Sequence, residues 1–122
     1  MAAKAATYDK WLLGTWKSDT RRTFRNWKPD RGMPPAKLRK FKSLFGKMIV
    51  RWTPEQILSG FDPNDLNEEP YEVVASDSSS VVVRTYCQWR DVWTLAYIRF
   101  EGDCYWVTNA TSRFGECFRR IA

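Results

Sequence analysis

A chain of 122 residues is long enough to bury one hydrophobic core and too short for two, and 43% hydrophobic with 16% aromatic content excludes a disordered chain. It carries a net charge of +6 and no histidine, which removes the commonest metal ligand and the usual neutral-pH base. No apolar run approaches the ~20 residues a membrane-spanning helix needs.

Residues 1–10 read as a flexible leader without the apolar stretch of a signal peptide, so the expected location is cytoplasmic. Residues 11–122 read as a single domain. Its first strand is predicted over 11–17. Ser18, Asp19 and Thr20 are helix-capping types, and Thr20, Phe24 and Trp27 recur at helical spacing, which predicts a short helix over 20–27 stopped by Pro29. A turn at 30–34 leads to a second helix over 35–45. There Leu38, Phe41, Leu44 and Phe45 share one side, and Pro35 and Gly46 mark the ends.

From Lys47 the pattern changes to period two. Strands are predicted over 47–53, 56–61, 71–75, 80–89, 92–101, 104–108 and 116–121. A turn at Pro54-Glu55, an acidic loop over 62–69, turns at 76–79 and 90–91, the hairpin pair Gly102-Asp103 and a loop over 109–114 separate them. Eight short-connected antiparallel strands close into an up-and-down barrel, an all-β fold with one or two short helices between strands 1 and 2. Such a barrel is filled by side chains or holds one small ligand.

Charge is divided unevenly. Residues 1–61 carry 14 basic and 4 acidic groups, and residues 62–122 carry 6 basic and 10 acidic. The basic segment 17–51 has two readings: a docking face for an acidic partner (nucleic acid, an anionic membrane surface or an acidic protein), or a solvated face opposing the acidic 62–72 loop. The plain reading is the second, and nucleic acid is the less favoured partner. The pairs Glu68-Glu69 and Asp62 with Asp65 lack calcium-loop spacing and read as loop solvation. Cys87, Cys104 and Cys117 contain no CxxC and read as small apolar strand residues. The sequon Asn109-Ala110-Thr111 is expected to be inert in a chain without a secretion signal.

Leu13-Gly14-Thr15-Trp16-Lys17, residues 45–50 (FGKMIV), residues 100–106 (FEGDCYW) and Phe118-Arg119-Arg120 together resemble a small bacterial lipocalin-like protein of the calycin superfamily, over nearly the whole domain. The resemblance implies that the indole of Trp16 plugs the closed end of the barrel and that Arg119 or Arg120 lies across it in a cation–π contact. The helix pair is similar to the portal of intracellular fatty-acid-binding proteins, which have two more strands. Avidin and haem-binding nitrobindins also begin with Gly-x-Trp, but no histidine is present here to hold a haem.

Alternation puts Glu72 outward and Tyr71 and Val73 inward. The register of the long strands is not fixed by the sequence. Tyr71, Arg84, Tyr86, Tyr97, Arg99 and Trp106 are the candidate ligand-binding residues: apolar walls for a hydrophobic body, with an inward arginine to hold an anionic end. The alternative is a mixture of core rings and solvated outer charges. The function expected is non-enzymatic carriage of a small hydrophobic ligand such as a fatty acid, with no cofactor and no metal, by a monomer or weak homodimer. An enzyme is the least favoured class, because no nucleophile–base pair can be drawn.

Overall fold

A computed structural model describes residues 10–29, 31–87, 90–109 and 114–122. The predicted leader falls almost wholly outside them, as do Ala110 and Thr111 of the sequon.

Eight strands form a closed antiparallel barrel in sequence order: β1 (Gly14–Ser18), β2 (Ile49–Trp52), β3 (Gln56–Gly60), β4 (Asn67–Ser76), β5 (Ser80–Cys87), β6 (Val92–Glu101), β7 (Cys104–Asn109) and β8 (Glu116–Arg120). Helices α1 (Thr20–Phe24) and α2 (Pro35–Ser43) lie between β1 and β2, as the sequence predicts. Closure is made by β1 on β8, with Trp16 opposite Arg120, Lys17 opposite Arg119 and Ser18 opposite Phe118.

Three boundaries differ from expectation by three residues or more. β1 begins at Gly14, because residues 10–12 turn across the base of the barrel and bury Leu12 completely. α1 is one turn long: the Asp19 side chain accepts from Arg22 N at 3.0 Å, while the Arg25 backbone N–H already turns back to Arg22 O. β4 starts at Asn67, inside the predicted acidic loop, because Asn67–Pro70 pair with β3. A bulge at Val74 then shifts the register against β5.

Every second strand residue faces inward. At the closed end these are large. The rings of Trp16 and Tyr105 stand 4.6 Å apart, Tyr105 stacks on Phe118 at 5.3 Å, and Trp52 meets Tyr71 edge-on at 5.0 Å. Their polar atoms are partnered: Trp16 Nε1 donates to Leu12 O (2.9 Å), Trp52 Nε1 to Tyr105 Oη (3.2 Å) and Tyr71 Oη to Thr53 O (2.6 Å). Buried donors without partners would cost about 1–3 kcal/mol each, so these bonds let the floor consist of rings. The Arg120 guanidinium lies 4.3 Å over the Trp16 ring and donates to Leu13 O (2.9 Å) and Trp11 O (2.8 Å). Arg119, one residue earlier, points to the outer wall.

A second apolar cluster sits at the opposite, mouth end. Phe24 of α1, Trp27, Phe41 of α2, Phe45 and Phe114 make mutual ring contacts at 5.2–6.2 Å. α2 buries no residue fully, so these rings are its attachment. Its Lys37, Arg39, Lys40 and Lys42 are exposed.

Candidate functional site

The inward side chains change character from floor to mouth. At the floor Val83 and Ile98 are 0% exposed. Val73, Ala96 and Val107, opposite Val83 and Ile98, pack against this core, and Thr85 and Thr94, paired with each other one step nearer the mouth, face inward above it. Thr85 and Thr94 are small and half-buried, with their hydroxyls 3.3 Å apart. Side chains of this size fill the barrel less than the rings of the floor do.

The charged side chains at inward register positions near the mouth, among the described strand residues, are carboxylates. Glu116 accepts from Ser18 Oγ at 2.6 Å, and that oxygen also accepts from Gly46 N at 3.0 Å. Burial pushes the Glu116 carboxyl above its ordinary pKa, and the Ser18 hydrogen bond offsets part of the rise. Glu69, opposite Ile57, accepts from Asn67 Nδ2 at 3.2 Å.

The expected inward arginines are therefore corrected. Arg84 and Arg99 face outward, because the pairs Val81–Ile98 and Val83–Ala96 occupy the inside. That register buries β-branched side chains and keeps both arginines part-exposed on the outer wall, with Arg84 Nε enclosed there, which avoids the large cost of a charge inside the barrel. Arg84 Nη2 pairs with Glu72 Oε2 at 2.6 Å and its guanidinium lies 4.8 Å over Trp93. Arg99 Nη1 is 3.6 Å from Glu101 Oε2. Tyr86 donates its hydroxyl to Asp91 and packs against Trp93 at 5.4 Å. Tyr97 and Trp106 also stand on the outer wall. Of the six candidate residues, only Tyr71 faces inward, and it belongs to the packed floor.

Three of the other five, Tyr97, Arg99 and Trp106, come together outside the barrel, while Arg84 and Tyr86 both meet Trp93. Tyr97, Arg99, Trp106, Thr108 and Gly115 line a hollow of about 220 Å³ on the outer wall. Arg99 and Trp106 continue into a cleft of about 580 Å³ between β6–β7 and α1, where Arg22, Arg25 and Asp103 form the far side. Arg22, Arg25 and Asp103 also line an adjoining cleft of about 500 Å³ that reaches Lys17, Arg21 and Arg119. Arg22 Nη1 pairs with Asp103 Oδ1 at 2.9 Å, which holds the Asp103 carboxyl below its usual range. Cys104 and Cys117 lie buried beneath α1, and burial pushes the Cys117 thiol up to about 12, so it is an inert apolar side chain here.

Nothing in the residue pattern singled out Glu116 or Phe114. Glu116 was hidden by its position at the start of a short strand, and Phe114 by lying in a predicted loop. Of the ring cluster, Phe24 with Trp27 and Phe41 with Phe45 were visible as helical spacings.

Among the described residues no helix is long and apolar enough to cross a membrane. No protein-family model, no curated protein and no solved structure matches the chain.

Proposed function

We propose that the barrel binds a small, mainly apolar molecule that is neutral or carries an amine, as a carrier or sensor without catalysis. The reading rests on small, half-buried Thr85 and Thr94 facing inward nearer the mouth than the ring-filled floor, where they leave room for a chamber, with Glu116 as the acidic group that orients a ligand. The chamber presents carboxylates where a fatty acid would need a cation, so the ligand class shifts from the anionic lipid that the sequence favours. The lipocalin-like resemblance of the Gly-x-Trp and terminal-arginine segments agrees with carriage.

The test is displacement of a neutral fluorophore by alcohols, amines and fatty acids of equal chain length, with native mass spectrometry of freshly purified protein. Alcohols and amines are expected to displace it at least about tenfold better than the acids, and Thr94→Trp, which fills the chamber, to abolish uptake. No displacement by any series, or unchanged uptake by Thr94→Trp, overturns the reading.

A further inference from the structure

The outer wall of β5–β7 alternates rings with arginines, and it opens into a cleft that leads on to an adjoining one, where Lys17, Arg21, Arg25 and Arg119 lack a carboxylate partner among the described residues. Along β6 the exposed positions Trp93, Leu95, Tyr97 and Arg99 succeed one another at about 6.8 Å per step. Trp93 and Tyr97 are 44% and 46% exposed, against the inward burial expected of rings in a filled barrel. Across the strands Tyr86 stands opposite Trp93 and Trp106 opposite Arg99. The Trp106 indole N–H is enclosed without a hydrogen-bond partner.

Beyond Trp106 the cleft turns basic. Lys17, Arg21, Arg25 and Arg119 have no carboxylate partner among the described residues, whereas Arg22 is taken by Asp19 and Asp103. The acidic 62–72 loop does not neutralise them: its ion pair among the described residues is Glu72 with Arg84.

We propose that this surface, from Trp93 and Tyr97 through Trp106 to Lys17, Arg25 and Arg119, binds single-stranded nucleic acid. Exposed rings need bases with free faces, which a duplex does not offer, and a groove of unpaired cations suits a phosphate backbone. The cations line a concavity between α1 and the wall, a poor fit to a flat bilayer. A second copy of the chain in an isologous contact would set these same cations against each other.

The experiment is fluorescence anisotropy of a labelled thymidine 15-mer. Neutralising about four phosphates on a single strand gives a log–log salt slope near −2.8, so binding is expected to weaken about 50-fold from 50 to 200 mM salt. The Trp93→Ala/Tyr97→Ala variant is expected to lose at least about tenfold with the slope unchanged. Arg25→Gln/Arg119→Gln is expected to lower the slope by about 1.4. Lys37→Gln/Lys40→Gln on α2 is expected to stay within about twofold. Circular dichroism checks folding, and Thr94→Trp is expected to bind the strand normally whatever it does to chamber ligands. Absence of binding at 50 mM salt overturns the proposal. So does equal loss in the α2 variant, equal affinity for a duplex of the same length, full competition by anionic vesicles, or a dimer that Trp93→Ala/Tyr97→Ala dissolves.

Discussion

Glu116 shows how one enclosed carboxyl ties the stability of a barrel to pH. Its carboxyl is mostly enclosed and held by Ser18, and burial raises its pKa in the fold. The folded state then binds the proton more tightly than the unfolded chain does. Its effect is sign-definite: stability is greatest below the unfolded carboxylate value and falls as pH rises through the raised folded value. Glu116→Gln is expected to melt higher than the parent at about pH 7 and equally at about pH 3, read by thermal unfolding at the two pH values. A parent that melts higher at neutral pH would show the buried carboxylate to be stabilising. None of this was legible in the sequence, where Glu116 is one of ten acidic residues in the second half.

Among the elements, α2 is the one held least by the barrel and most by a few rings. Phe41 touches Phe24, Trp27, Phe45 and Phe114 at 5.2–5.9 Å. Phe41→Ala is expected to cost about 3 kcal/mol of local stability and to raise amide exchange throughout α2, while β5–β7 amides keep their protection. Uniform loss of protection would mean that helix and barrel unfold as one unit. The joint after the helix is also constrained: Gly46 has φ +90°, and a Cβ there would run into Thr20 Oγ1. The sequence revealed both helices because proline and glycine mark the ends of the second and capping residues the start of the first. It overran the first by three residues, because Trp27 continues the helical spacing but reaches the ring cluster from outside the helix.

At the scale of the whole molecule, eight period-two segments with short connectors made the barrel readable. Inside and outside were readable only where one face is polar. Glu72 between Tyr71 and Val73 settles that stretch of β4. In β5 and β6 both faces are apolar, as Val81-Val82-Val83 and the run Trp93, Leu95, Tyr97 against Ala96 and Ile98 show, so alternation carries no sign there. The same limit hid which terminal arginine closes the base. Arg120→Ala, which removes two carbonyl contacts and the ring contact with Trp16, is expected to cost about 2–3 kcal/mol, and Arg119→Ala no more than about 0.5 kcal/mol, by urea unfolding. Equal losses would show that Arg120 owes nothing to its placement.

The pairing of Trp16 with Arg120 joins the two most distant stretches of the described barrel. Such a seam forms late, because loop entropy must be overcome before its contacts give anything back. Until then β1 and β8 are two raw, complementary margins, and the nearest match for either margin at high concentration is the opposite one on another copy. Dilution during refolding should therefore decide whether each chain is zipped to itself or stitched to its neighbour.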